Sequence, residues 1–448
     1  MTLHPSTASS HTPTEYTSDF GEFIKVPSSP PRPDETTVTE WEYRGEGKAH
    51  IIFGYVGLNT FYRGKAIRIK KQLNEKEEEV EKVWKKELRR LIDPQYLLRE
   101  KKVVVRREWV KDVLKRAEGR SEKRKAEWDG GVFEVNKEGE MEVDLVDDLR
   151  TGVGEVEQGE KVVVIEIKPK WGFLPNPQHI HPAEAAPIKS QNCRFCMHQY
   201  LRDPTLIHQG RYCPIDLFSG DEVKMQKALE GLVKLWKSTG GVGNNWRMFV
   251  GQEIINPGDL SKLVSNTPES LLPHITRLLK STEVLNLLKS LQMAFDPTDI
   301  SALAQQYRIE FPESELFDPS NIPDPTAEEI KDLVDLLLSD PSRRLHAPQS
   351  TDSPSPPTTL RTPAIVAPIH EKWTFRQRCV AYGLSAIFKD CSIFLTLHLI
   401  DNPQSDGSET WSLVEDKSSL KIIDLDLKPL SLKKWYDLDH SIWSNWCD

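Results

Sequence analysis

Apolar residues in the first third of the chain come in short runs, and further on they recur at helical spacing. WEYRGEGKAHIIFGYVG, starting at Trp41, predicts a strand, a glycine turn and a second strand, and FYRGKAIRIKK, residues 61–71, predicts a third. NEKEEEVEKVWKKELRR, residues 74–90, sets Val80, Val83, Trp84 and Leu88 on one face of a charged helix. VVVRREWVKDVL predicts a strand entering a helix, and VFEVNKEGEMEVDLVDDL, residues 132–149, a hairpin turning at Asn136–Gly139. Residues 220–237, 268–296 and 371–389 are helical by period, and CSIFLTLHLI and KIIDLDL are two final strands. Strands first and helices later predict a mixed α/β (α+β) chain in two lobes. The smaller, strand-rich lobe is expected over 39–165 and the larger, helix-rich lobe over 166–448. Residues 1–38 and 346–368, rich in Ser, Thr and Pro, bury too little to offset their ordering entropy and are expected to be a disordered tail and a flexible insertion.

One run departs from these patterns. In VVVIEIKPKWGFLP, residues 162–175, the β-branched stretch Val162 to Ile165 predicts a buried strand, yet it delivers Glu166, Lys168 and Lys170 to its own end. A strand fixed by burial would aim those lysines at phosphate groups.

Composition narrows the choices. At 448 residues, with 12 Trp, the chain can form two or three domains with a sizeable core. It holds no run of about eighteen apolar residues, so no spanning helix is expected. The N-terminal stretch lacks the basic start and apolar core of a secretory signal, so the six cysteines are expected to be reduced in a soluble intracellular protein. A net charge of −9 argues against nucleic acid as a partner, because non-specific binding needs a basic surface. A monomer acting on a small molecule, without membrane or nucleic acid, is the expectation.

The chemistry-bearing residues fall into three groups. YRGEGKAH carries Gly45 and Gly47 at a hairpin tip, where backbone N–H groups can approach phosphate oxygens, and the following strand carries Arg68, a cation for a nucleotide. A lone glycine turn is ordinarily only a turn; the ordered pair of features is what points to a nucleotide. Asp390 opens one late strand, and Asp424 and Asp426 share a face of the other by period two. A lone Asp ordinarily caps a turn, but phosphoryl transfer needs one carboxylate to take a proton and others to hold Mg²⁺. Finally Lys168, Lys170, Arg194, His198, Arg202, Arg247, Lys428, Lys433 and Lys434 lie beside aromatic and Pro/Gly-marked segments, a cation set suited to a small, very anionic ligand. CRFCMH, with Cys193, Cys196 and His198, followed by His208 and Cys213, has C-x₂-C spacing but no second compact pair. Small buried hydrophobes are the expected role of these cysteines, with zinc the alternative.

EIKPKWGFLP, CRFCMHQYLR, YCPIDLFSGD, NNWR (residues 244–247), DCSIFLTL and DLDLKPL, in that order, resemble the inositol-pentakisphosphate 2-kinase family, from about Trp41 to about Tyr436. The resemblance implies a two-lobed fold distantly similar to protein kinases. It implies transfer of the γ-phosphate of ATP, with Mg²⁺, to the 2-hydroxyl of inositol 1,3,4,5,6-pentakisphosphate, giving the hexakisphosphate (phytate). Motif by motif, it implies that Gly45, Glu46, Gly47, Lys48 and Ala49 cover the nucleotide phosphates. Arg68 and Glu166 would lie on the nucleotide side, with the adenine hinge near Asp147–Leu149, at Asp148. Asp390 is implied as general base, with Asp424 and Asp426 as metal ligands. Arg107, Lys168, Lys170, Arg194, His198, Arg202, Asn244, Asn245, Arg247 and Lys428 would hold the inositide, together with Lys433 and Tyr436 if a residue is gained or lost after Lys428.

Departures from the family pattern matter too. Lys occurs in the family where this chain has Arg202. Plant members resemble a zinc-binding variant with Cys and His between NNWR and DCSI. Here residues 250–365 hold no cysteine and only His274 and His346, so that site is not expected. Fungal-type members imply a nuclear location, although the basic run KRAEGRSEKRKAEW is not a convincing import signal. Two rivals have clear marks. An inactive inositol-polyphosphate-binding module on the same fold would have lost the Asp or the glycine turn, and a protein kinase would carry H-R-D and D-F-G, which do not occur.

Overall fold

β-Branched and aromatic runs build two antiparallel sheets, each closed over by its own apolar cluster. The computed structural model describes residues 31–47, 50–70, 75–117, 139–152, 159–205, 212–262, 267–313, 317–319, 322–339, 372–403 and 409–446. The first sheet has strands β1 (Trp41–Glu46), β2 (His50–Tyr55), β3 (Lys65–Lys70), β4 (Lys101–Arg106) and β5 (Glu140–Asp147), in the order β1-β2-β3-β5-β4. The second has β6 (Glu160–Ile167), β7 (Trp246–Val250), β8 (Glu253–Ile255), β9 (Ser392–Pro403), β10 (Glu409–Leu413) and β11 (Ser419–Ile423), in the order β10-β9-β6-β7-β8, with β11 also paired to β9. Helices α1 (Glu75–Leu91) and α2 (Arg107–Lys115) come with the first sheet in sequence. After β6 follow α3 (Ala185–Gln191), α4 (Arg194–Arg202), α5 (Pro214–Leu217), α6 (Glu222–Ser238), α7 (Leu272–Ser281), α8 (Val284–Phe295), α9 (Asp299–Glu310), α10 (Ala327–Ser339), α11 (Phe375–Phe388) and α12 (Leu432–Ser444). The result is the two-lobed α+β arrangement that the order of strands and helices predicts.

Why β6 reads as an unbroken apolar run is plain from its place. It lies between β9 and β7, with Val163, Ile165 and Ile167 in the main core and Val162 and Val164 in a second cluster with Phe249 and Phe394. Burial on both faces removes the alternation a half-exposed strand would show. In the first lobe Trp41 sits at the centre, edge-on to Tyr55 at 5.1 Å and to Trp109 of α2 at 5.9 Å.

Several boundaries differ from the sequence expectation. The helix expected over 268–296 is a 3₁₀ turn followed by α7 and α8, broken where Glu283 adopts a left-handed backbone with φ 49°. No Gly or Pro marks that break. Residues 33–40, partly assigned to the tail, form two 3₁₀ turns, and Asp34 is buried against the Arg106 side chain at 2.9 Å and its backbone N–H at 2.8 Å. Residues 1–30 of that tail, the 346–368 insertion and the hairpin turn at Asn136 lie outside the described residues. Helix α1, within the first lobe's sequence span, buries Trp84, Leu88 and Leu91 in the main core, and Trp84 Nε1 donates to the Leu425 carbonyl at 2.6 Å. That bond pins α1 to the strand end that carries the acidic pair.

Candidate active site

The buried end of β6 delivers Lys168 and Lys170 along a fixed path. Lys168 N–H donates to the Asn245 carbonyl at 3.1 Å, and the Tyr212 hydroxyl donates to the Pro169 carbonyl at 2.6 Å. Lys170 has φ 62°, a left-handed conformation that a non-glycine residue adopts only under constraint. The constraint is Gln292 of α8, fully buried, whose amide donates to the Lys170 carbonyl at 2.9 Å and accepts from Gly172 N–H at 2.8 Å. Gly172 is required here, because a Cβ would stand 2.6 Å from the Phe218 ring.

Asp390 follows α11 and precedes β9. Its carboxylate lies between the Lys170 ammonium at 3.0 Å and the Lys428 ammonium at 2.7 Å. Burial would raise its pKa, but the two lysines outweigh burial and hold the group well below the usual carboxylate range. The preceding residue, Lys389, turns the other way. It is buried against Asp296 at 2.5 Å, with its ammonium 3.9 Å from the centroid of the Trp171 ring, so adjacent residues serve the interior and the site.

Asp424 lies one residue past β11 with φ 61°. It accepts from Lys168 at 2.7 Å and lies 3.2 Å from the Ser392 hydroxyl, which is 2.9 Å from Glu166 and shares its one proton between the two carboxylates. Arg247 of β7 closes the chain on Glu166 at 3.2 Å. The expected shared strand face for Asp424 and Asp426 is therefore corrected, because the left-handed turn at Asp424 breaks the period of two. Asp426 instead meets the first lobe, 3.6 Å from His50 Nδ1 and 3.9 Å from Arg68. Burial opposes its ionisation, but His50 and then Arg68 prevail and bring its pKa down to about 2. Arg68 is also paired with Glu100 and lies 3.1 Å from His50.

Helix α4 contributes further cations. His198 has its pKa lowered to about 4, first by burial and then by Arg202, Arg194 and Lys170, which records how closely positive groups crowd it. Arg194 stacks over Trp171 at 4.5 Å and donates to Asp439 at 3.1 Å. Asn245 has a buried Oδ1 with no hydrogen-bond partner among the described residues, whereas Asn244 is exposed. Arg107, at the start of α2, likewise keeps a buried Nε without a partner among the described residues.

Other candidates stand apart from the lysine cluster in their contacts. Lys433 pairs with Asp437 one turn along α12 at 2.7 Å, and Tyr436 packs on Phe317 at 5.1 Å with Arg308 3.5 Å from its hydroxyl. Asp148 is buried, paired with Arg44 at 3.1 Å. Gly45 and Glu46 end β1, and Gly47 N–H closes the hairpin on the His50 carbonyl at 2.9 Å, but Lys48 and Ala49 lie outside the described residues. Ser392, Gln292, His50 and Glu100 are participants that the sequence reading missed. Each is an ordinary polar residue until the fold gives it a partner; only Ser392, two places after Asp390 at the start of a strand, carried a positional hint.

The three cysteines of this region come together. Cys193 is buried, but Cys196 and Cys213 are only half-buried, and the three sulfurs lie within 4.8 Å of one another.

Ammonium groups from distant stretches, Lys170 and Lys428, converge on the Asp390 carboxylate, and Asp426 meets His50 and Arg68 of the first lobe. Comparison with known proteins is specific. The sequence profile of the family described as inositol-pentakisphosphate 2-kinase matches residues 43–441. An inositol-pentakisphosphate 2-kinase of Cryptococcus neoformans var. neoformans serotype D is 37% identical, over 94% of this chain and 97% of the relative. One from Arabidopsis thaliana is 23% identical over 91% of this chain and 93% of the relative, and one from Danio rerio 40% identical over 21% of this chain and 18% of the relative. The chain belongs to the inositol-pentakisphosphate 2-kinase family, transferases that phosphorylate an alcohol group of a small inositol phosphate.

Proposed function

We propose that the protein transfers the γ-phosphoryl group of ATP to the 2-hydroxyl of inositol 1,3,4,5,6-pentakisphosphate, yielding the hexakisphosphate. The observation that carries this reading is the Lys170–Asp390–Lys428 clasp, in which a carboxylate kept ionised is held by two ammonium groups. Substrate phosphates would draw both lysines away and leave Asp390 free to accept the hydroxyl proton. Lys168, Arg194, His198, Arg202 and Asn245 would complete the anion-binding ring, with Arg107 reaching from the first lobe. Arg247, expected to hold the inositide, is paired with Glu166 at 3.2 Å and would instead lie with it on the nucleotide side, where Arg68, Gly45 and Gly47 would face the triphosphate.

Asp424 and Asp426 are exposed enough to reach a ligand and offer the hard oxygen donors that magnesium requires, so they fit that ion. Bound there, it would neutralise charge on the transferring phosphoryl group. Lys168, whose charge burial disfavours but Asp424 sustains, would then shift from Asp424 toward the substrate phosphates.

The test is ATP consumption by the full chain with inositol pentakisphosphate, with a peptide mixture and with no acceptor, alongside chromatography of the product. Acceptor-dependent formation of a single more highly phosphorylated inositide is expected. Equal ATP consumption without acceptor, or transfer to peptide, would overturn the reading.

A further inference from the structure

The three thiols gathered near the start of α4 are not used by the chemistry above. Cys193 caps α4, Cys196 lies within its first turn, and Cys213 caps α5. Their sulfurs all lie within 4.8 Å of one another, and none is in a disulfide. A zinc–thiolate tetrahedron with bonds of about 2.3 Å has sulfur–sulfur edges of about 3.8 Å, so small side-chain rotations suffice to close it. One buried and two half-buried thiols in one place gain nothing as hydrophobes that one apolar side chain would not supply. C-x₂-C at a helix start with a third cysteine from a neighbouring segment is the arrangement that thiolate metal sites use.

We propose that Cys193, Cys196 and Cys213 form a three-thiolate zinc site. Loading replaces each remaining S–H bond by a Zn–S bond and releases that proton to solvent, with no change in oxidation state. The fourth position falls to solvent. Three cysteines suit zinc better than an iron–sulfur cluster, which takes four.

The location gives the metal a purpose. Cys196 Sγ lies 3.9 Å from the Tyr212 carbonyl, and Tyr212, fully buried, donates its hydroxyl to the Pro169 carbonyl between Lys168 and Lys170. Zinc would thus tie α4, with Arg194, His198 and Arg202, to the loop that carries the two lysines. That influence on the anion site rests on the proposed function; the existence of the site does not.

The experiment is elemental analysis of the full-length protein purified without chelator, then cobalt(II) replacement followed by absorption spectroscopy. About one equivalent of zinc, and a thiolate-to-cobalt charge-transfer band of three-thiolate intensity, are expected. Cys196→Ser and Cys213→Ser should each reduce that band and weaken metal retention, while Cys379→Ser leaves both unchanged. Substoichiometric zinc with no cobalt–thiolate band, or a Cys193–Cys196 disulfide found by mass spectrometry in the native protein, would overturn the proposal. Both measurements on the unmodified protein stand even if a variant fails to fold, and neither depends on which inositide is phosphorylated.

Discussion

Lys170 reaches Asp390 at 3.0 Å from a left-handed backbone, φ 62°, and so the lysine is aimed at the carboxylate by main-chain geometry rather than by a flexible side chain alone. Burial lowers the lysine's pKa and Lys168 and Lys428 add to that, against the opposing pull of Asp390. The site therefore holds its positive charges at some cost, which a bound polyanion would relieve.

Replacing Asp390 separates binding from chemistry. Asp390→Asn keeps the shape but removes the proton acceptor, and turnover should fall by roughly 10²–10⁴ or more. The same change frees Lys170 and Lys428 for phosphate, so inositide affinity should stay equal or rise. Calorimetric titration with inositol pentakisphosphate, beside initial rates, measures both. Wild-type turnover in this variant would remove Asp390 from the base role.

Lys170→Ala and Lys428→Ala should act on affinity. A hydrogen bond to a charged group is worth about 1.5–3 kcal/mol, so each variant should bind the inositide about ten- to a hundredfold more weakly. Lys433→Ala, whose ammonium pairs along its own helix, should change affinity less than either. Competition binding with the three variants checks the ranking.

His198 yields a pH prediction with a definite sign. Its folded pKa of about 4 lies below the ordinary 6.5, so the unfolded chain takes up this proton first as pH falls. The stability it contributes is present above the ordinary value and is lost progressively between the two values. A bound polyanion would reverse the local charge, so inositide binding near pH ~5.5 should draw a proton from solvent. Titration calorimetry in two buffers of different ionisation enthalpy measures that uptake, and His198→Gln should reduce it. Identical uptake in both proteins would mean that His198 does not face the ligand.

The buried pair Lys389–Asp296, at 2.5 Å, predicts a stability effect next door to the catalytic candidate. Lys389→Met leaves Asp296 as an uncompensated buried charge and should cost about 3–5 kcal/mol, whereas Lys389→Met with Asp296→Leu should recover most of that. Denaturant unfolding of the single and double variants tests the contrast.

How much of this was legible in the sequence depends on what fixes each feature. The β6 run and its terminal lysines could be read directly, because β-branched burial and the charge beside it are both local. Asp390 was legible as the acid opening a buried strand. The relation between Asp424 and Asp426 was not, since the left-handed turn at Asp424 carries no Gly or Asn to announce it. Nor was the break at Glu283, in a stretch without helix breakers. Gln292 was silent for a different reason: its side-chain partners are more than ninety residues away in sequence, and only the packed fold brings them together.

Gln292 carries the last prediction, as a positioning residue. Its side chain makes three hydrogen bonds: it accepts from Gly172 N–H at 2.8 Å and donates to the Lys170 carbonyl at 2.9 Å and the Phe388 carbonyl at 3.0 Å. One amide thus fixes both the left-handed turn that presents Lys170 and the helix end two residues before Asp390. In Gln292→Leu each backbone group left unpartnered costs about 1–3 kcal/mol, so stability must fall. A purely structural role would stop there, with the remaining folded enzyme kinetically normal. A positioning role adds a selective signature, measured well below the variant's melting temperature: KM for the inositide rises and kcat falls, while KM for ATP holds, because Arg68, Glu166 and Arg247 are tied to other partners. Gln292→Glu keeps the acceptor for Gly172 but loses both donors, so it should reproduce the kinetic defect. If Gln292→Glu showed wild-type kinetics, the Lys170 turn would not depend on that amide.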